Sequence, residues 1–156
     1  MTDNGTNHQT GNRAENRDAG GAIVISSDRE RVDEEFVYAY MHGQMYWAKS
    51  LTLEAFRRAV RHSALVFGVY ENERQIGFAR VISDCATFAY LTDVFIVAER
   101  RGRGLSKQLL AHIVAHPLLQ GLRRFVLVTE DAEGLYAKFG FARMADAAHW
   151  MQIFRE

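Results

Sequence analysis

The sequence predicts an α/β fold, more closely an α+β mixed sheet with helices on its faces. Three observations predict it. Apolar runs with strand character and stretches of helical periodicity follow one another in the order β, α, α, β, β, β, α, β, α, β. Three β-branched and aromatic runs between Leu65 and Val97, separated by short polar connections, read as an antiparallel meander. From Ala22 onward the chain carries nearly all its Leu, Ile, Val and aromatic residues without an internal linker or repeat, enough for a single core.

In chain order, residues 1–21 have no apolar periodicity and are rich in Asn, Thr, Asp, Arg and Gly, which predicts a disordered tail ahead of one domain over residues 22–156. Ala22 to Ser26 reads as a short strand. Asp33 to His42 reads as a helix, with Phe36, Val37 and Tyr40 at helical spacing. Thr52 is positioned to cap a second helix, on which Leu53, Phe56 and Val60 share a face while Arg57, Arg58 and Arg61 point to solvent. Strands follow at Leu65 to Tyr70, Gln75 to Ser83 and Ala89 to Val97, the first two joined by a turn over Glu71 to Arg74. Leu105, Leu109, Leu110 and Ile113 mark the apolar stripe of a long helix that Pro117 ends near His116. A strand at Phe125 to Thr129, a short helix around Ala132 to Phe139 and a last strand near Trp150 to Phe154 complete the pattern.

Composition removes several function classes. Nineteen Lys and Arg balance nineteen Asp and Glu, so no whole-surface attraction to nucleic acid or to an anionic membrane is expected. Cys85 stands alone, which rules out an intramolecular disulfide and a cysteine-rich zinc site and suits the reducing cytoplasm. No apolar stretch approaches the roughly 20 residues that span a bilayer, and the N-terminus lacks the pattern of a signal peptide. His112 and His116 lie four apart on the long helix, but without an HExxH glutamate or an evident third ligand, so no metal is expected.

The most informative segment is Asp93 to Leu110, where a buried-looking strand runs through Arg101-Gly102-Arg103-Gly104 straight into a helix. Glycines let backbone N–H groups approach a ligand, the first helical turn has unpaired donors, and the helix dipole adds positive character, so the segment suits a pyrophosphate. A Walker-type loop is excluded because GxxxxGK[ST] is absent. A dinucleotide fingerprint fails as well, since Lys107 stands in place of its third glycine and Arg124, not an acid, lies 20 residues beyond Gly104. A solvated glycine turn and an arginine-glycine nucleic-acid patch are the remaining alternatives; the balanced charge and the helix immediately downstream weigh against the second.

Arg101-x-x-Gly104-x-Ser106 resembles the [R/Q]xxGx[G/A] loop of GNAT-type N-acetyltransferases, with Ser106 in place of the last small residue. Ala132-x-x-Leu135-Tyr136-x-x-Phe139-Gly140-Phe141 resembles the second signature of that superfamily, in the family's order and separation. The likeness covers roughly Ala22 to Arg155 and is closest to small bacterial members sharing GFARV, DVF, GLRR and GLYxxFGF, a group without an assigned substrate. It implies a central, mostly antiparallel twisted sheet flanked by helices and acetyl-CoA as co-substrate.

By the same resemblance, Arg101, Gly102, Arg103, Gly104, Leu105, Ser106 and Lys107 hold the pyrophosphate. Val94, Phe95 and Ile96, on a strand that splays from its neighbour, offer backbone groups to pantetheine. Thr129 stands where relatives often carry a cofactor-binding asparagine. Tyr136 matches the family's general acid: a phenol with a pKa near 10 is protonated at neutral pH and can donate to a departing thiolate. Asp93 occupies an often acidic position and is the candidate base, with structural hydrogen bonding as the alternative and bulk water as the other proton acceptor. Tyr46, Trp47, Arg80, Asp84, Phe88 and Tyr90 are candidates for the acceptor pocket, since an aromatic wall with an acid suits an amine. The implied activity is N-acetylation of a small-molecule or protein amine by direct attack in a ternary complex. The alternative is a CoA-binding sensor or scaffold without catalysis. Edge strands and the His149 to Phe154 segment are candidate homodimer surfaces.

Overall fold

The computed structural model describes residues 21–155; the predicted tail, apart from Gly21, and Glu156 lie outside the described residues. Five strands form one sheet in the order β1 (Ile23–Ser26), β2 (Leu65–Glu71), β3 (Arg74–Ser83), β4 (Phe88–Ile96) and β5 (Arg124–Leu127). The first four pair antiparallel and β5 joins β4 in parallel. The parallel pair needs a crossover, which α3 (Leu105–Val114) supplies. Before the sheet's centre come α1 (Glu34–Gln44) and α2 (Leu53–His62); after β5 comes the short α4 (Glu133–Ala137).

Local chemistry sets these boundaries. Asp33 caps α1 by accepting from the Phe36 N–H at 2.9 Å, and Thr52 caps α2 by accepting from the Ala55 N–H at 3.1 Å. Asn72 and Glu73 both take positive φ, 48° and 67°, which closes the β2–β3 hairpin with a tight turn matched to strand twist. Every residue of β2 is buried, as expected of a strand covered on both faces. On one face Phe56 meets Phe78, and Phe36 and Tyr40 meet Phe95, so α1 and α2 pack over β3 and β4. On the other, Leu105, Leu109, Leu110 and Ile113 of α3 enter the same core, and Phe67 meets His116 edge-on.

One predicted element does not form. Trp150 to Phe154 lies outside any helix or strand, and Met151, Ile153 and Phe154 are exposed. Four of its five side chains are apolar, but it pairs with no strand among the described residues, and an unpaired strand is not stable in water. None of the described helices is long and apolar enough to cross a membrane.

Candidate active site

The site begins where β4 and β5 part. Their pairing runs from Phe88–Arg124 to Leu91–Leu127 and stops, while β4 continues five residues to Ile96. At the parting point Asp93 takes φ 57°, and β4 carries one residue more than β3 between the pairs Arg80–Thr92 and Phe78–Phe95. This is a β-bulge; half-buried and buried residues alternate through Phe95, after which Ile96 is buried as well. The stretch Thr92 to Ile96 therefore offers β5-side backbone groups that no strand takes up among the described residues.

Asp93 holds the bulge from within. Its carboxylate accepts from Arg80 Nε at 2.8 Å and from the Thr92 hydroxyl at 3.1 Å, and Arg80 also reaches the Ser63 hydroxyl at 3.3 Å. The Asp93 side chain is only 3% exposed, with an arginine partner already in place. It is one half of a buried ion pair, the structural alternative to a role as base. Arg80, its partner, is committed to the same pair rather than to an acceptor pocket.

Beyond β4 the chain makes a single turn at Ala98–Arg100 and enters the glycine loop. Gly102 and Gly104 have φ of 78° and 75°, the left-handed region that glycine adopts at no steric cost, and a Cβ at either would meet no atom within 4 Å. Gly104 is the N-cap of α3 and supplies no side-chain cap, so the N–H groups of Leu105, Ser106 and Lys107 face outward without an intrahelical partner. They line a cavity of about 240 Å³ together with Arg101, Gly102 and Leu135.

The arginines of this loop divide their tasks. Glu71, at the end of β2, accepts from Arg100 and from Arg103 Nη1, the latter at 2.9 Å, and these two guanidinium groups hold its carboxyl below the usual range. Arg103 thus staples the loop to the end of β2 through Glu71. Arg101 donates from Nε to the Ile96 carbonyl at 3.1 Å and from Nη2 to the Tyr40 hydroxyl at 3.4 Å, while the Tyr40 ring stacks on Phe95 at 4.4 Å. Glu71 and Tyr40 were not among the sequence candidates. They sit 29 and 61 residues from their loop partners, and no local pattern marks such pairs.

On the opposite side of the parted strands stands α4. Leu135 reaches the cavity at the loop, and the next residue, Tyr136, lines a larger groove of about 470 Å³ along β5. Tyr136 packs edge-on against Phe141 at 6.0 Å, which in turn meets Phe125. Burial, assisted by the nearby Asp131 carboxylate, raises the Tyr136 pKa, so the phenol keeps its proton throughout the neutral range. Thr129 acts locally: its hydroxyl accepts from the Ala132 N–H at 3.0 Å and shapes the approach to α4.

The acceptor candidates separate. Tyr46 and Trp47, on the turn Tyr46–Ala48, are exposed, and the Tyr46 hydroxyl donates to Glu130 at 3.1 Å, across to the loop between β5 and α4. Tyr90 is half-buried in the paired part of β4, opposite Val126. Asp84 lies in the β3–β4 turn. Its carboxylate accepts from the N–H groups of Ala86, Thr87 and Phe88 and from the Thr87 hydroxyl, which hold it well below the usual carboxylate range. Asp84 therefore organises a hairpin, and with Phe88 it lies at the opposite end of β4 from the parted stretch.

Comparison with known proteins agrees with this arrangement. The family model described as "Acetyltransferase (GNAT) domain" matches residues 62–143, from the end of α2 past α4. A candidate acetyltransferase of Gibberella zeae is 31% identical over 140 residues, covering 76% of this chain and 77% of that protein. The crystal structure of a candidate acetyltransferase of the GNAT family from Xanthomonas campestris pv. campestris superposes with a TM-score of 0.83 at 45% identity, covering 87% of this chain and 95% of that one. A predicted acetyltransferase from Clostridium acetobutylicum, whose structure contains acetyl-CoA, shares the fold at a TM-score of 0.61 and 16% identity, over 85% and 96% of the two chains.

Proposed function

Because the chain belongs to the GNAT acetyltransferase family, we propose that it transfers the acetyl group of acetyl-CoA to a primary amine by direct attack in a ternary complex. The observation that carries this reading is one cavity shared by the end of β4 at Ile96, the uncapped start of α3 and Leu135 of α4, the residue before Tyr136.

Each part suits one task. The free N–H groups of Leu105, Ser106 and Lys107, with the positive end of α3 behind them, would hold the pyrophosphate. The backbone from Val94 to Ile96, which no strand pairs on the β5 side among the described residues, would bind pantetheine and aim one N–H at the thioester carbonyl oxygen, where charge develops as the amine adds. The amine nitrogen bonds to the carbonyl carbon, the carbon–sulfur bond breaks, and the sulfur takes the Tyr136 proton. With Asp93 committed to Arg80, the proton lost by the amine goes to water. The exposed Tyr46 and Trp47, with Glu130 beside Tyr46, form an aromatic and acidic rim suited to a cationic amine, whether small or protein-borne.

Calorimetric titration with acetyl-CoA and CoA, alongside thiol release on pooled primary amines, tests the proposal. Micromolar binding with thiol release is the expected result. Binding without release on any amine would favour the non-catalytic CoA sensor, and no binding would remove the reading altogether. Tyr136→Phe should lower turnover at least 100-fold while acetyl-CoA affinity stays within a few-fold, because the proton is needed chiefly as thiolate charge forms. Equal loss of both, or unchanged turnover, removes the acid role.

A further inference from the structure

A carboxylate next to an anion-binding loop repels the anion, so its presence there calls for a compensating task. Glu71 is the last residue of β2, opposite Ile23 on one side and Arg74 on the other, with its side chain 9% exposed. Both of its oxygens leave the sheet for the glycine loop. Oε2 accepts from Arg100 Nε and Oε1 from Arg103 Nη1 at 2.9 Å, across 29 and 32 residues of chain. Arg100 itself lines the cavity at the start of α3.

The loop needs an outside anchor. Gly102 and Gly104 hold left-handed φ with open space where a Cβ would stand, and neither Gly102 nor Arg103 makes a backbone hydrogen bond among the described residues. Glycine gives up more conformational freedom on ordering than any other residue, so backbone preference alone does not fix the loop's N–H groups over the cavity. Side chains fix them instead: Arg101 on the Ile96 carbonyl at 3.1 Å, and Arg100 and Arg103, on either side of Gly102, on Glu71. The strand β2 is buried at every residue and paired on both edges, which makes it a fixed point for that grip.

We propose that Glu71 is the positioning residue of the pyrophosphate loop: it holds Arg100 and Arg103, and through them the backbone of residues 101–104, in the shape that receives acetyl-CoA, a role that rests on the acetyl-transfer reading. Such preorganisation shows in affinity, because a loop already ordered has less freedom to lose when the ligand binds. It also fixes the sign of the effect. As a mere neighbouring charge, Glu71 on removal would free two cations and tighten an anionic ligand; as an anchor, its removal loosens the loop and weakens binding.

Calorimetry and steady-state kinetics on the full chain separate the two. Glu71→Gln keeps the side chain's size and removes its charge; it should raise Kd for CoA and KM for acetyl-CoA about 10-fold, with kcat at saturation changed less than about twofold, since Tyr136 and β4 keep their contacts. Affinity equal to or tighter than that of the unsubstituted protein overturns the proposal, as does a loss of kcat as large as the rise in KM. The double variant Arg100→Ala, Arg103→Ala breaks the same contact from its more exposed side, where the two side chains are 36% and 38% exposed. Adding Glu71→Gln to it should cost no further CoA affinity, because the contact is already gone. A further loss as large as in the unsubstituted background overturns the anchoring role. If the unsubstituted protein binds no CoA, the acetyl-transfer reading falls and this role with it; CoA binding that Glu71→Gln leaves intact removes this role alone.

Discussion

At the residue scale, two buried polar groups show how a side chain is committed by its surroundings. Asp93 combines a left-handed backbone with an ion pair to Arg80, the two side chains being 3% and 14% exposed. Asparagine tolerates the same backbone conformation but removes the charge, leaving the Arg80 guanidinium buried without its partner. Asp93→Asn should cost about 3 kcal/mol in urea denaturation. The pH dependence of kcat/KM should keep its shape, whereas loss of an acidic limb would reinstate Asp93 as the base. Tyr70 is the opposite case: it is buried, and among the described residues its hydroxyl has no hydrogen-bond partner. Burial pushes its pKa up to about 12. The folded protein thus holds the proton more tightly than the unfolded chain, so this contribution to stability is intact below pH 10 and is lost as the pH rises toward 12. Tyr70→Phe should stabilise the fold by about 1 kcal/mol at pH 7, and the advantage should grow by about 1 kcal/mol more at pH 11. Denaturation at the two pH values measures both; a Phe variant less stable at pH 7 and no better at pH 11 would show that the hydroxyl finds a partner.

At the scale of elements, the site depends on how β4 leaves its neighbours. Gly77 faces Ile96 across β3 and β4, and a Cβ there would lie 2.6 Å from the Ile96 side chain and 2.9 Å from the Phe95 carbonyl oxygen. The carbonyl belongs to the backbone stretch assigned to pantetheine and cannot rotate aside. Gly77→Ala should therefore cost about 2 kcal/mol in thermal or urea unfolding and weaken acetyl-CoA binding in calorimetry, both from one displaced strand. Elements of this kind were legible in the sequence wherever a local period or cap encoded them. Thr52, the apolar stripe of α3 and the β2–β3 turn each act within a few residues, and the glycine loop declares its φ values by composition. What escaped is long-range or cooperative. Glu71 reaching Arg100 and Arg103, and Tyr40 reaching Arg101, join segments far apart in sequence. Asp93 reads as acidic and accessible until folding places Arg80 opposite it. The segment from Trp150 to Phe154 is apolar at four of five positions, but a strand exists only where an edge receives it.

For the whole molecule, the proposed site joins parts of unequal rigidity. The central strands β2, β3 and β4 and helix α3 are buried in the shared core, whereas α4 has five residues, none fully buried, and no side-chain cap at its N-terminus. It is held chiefly by the half-buried Leu135 and Tyr136 and by the turn at Gly140, whose φ of 91° ends it. Leu135 lines the loop cavity from α4 while Leu105 and Ser106 line it from α3, so a ligand seated there touches both the rigid and the loosely held part. Binding to the native state alone adds about 2.7 kcal/mol of global stability at a hundredfold excess over Kd. The amides that already exchange only through global unfolding, in β2 to β4, should gain protection by that amount. Amides of α4 exchange through local opening, which a ligand contacting Leu135 must also suppress. Hydrogen exchange with and without saturating acetyl-CoA should therefore show α4 and the loop from Arg101 to Lys107 slowed well beyond their ligand-free rates, with β1 little changed relative to the core strands. Protection confined to the core, with α4 exchanging as before, would place the ligand away from α4 and separate Tyr136 from the chemistry assigned to it.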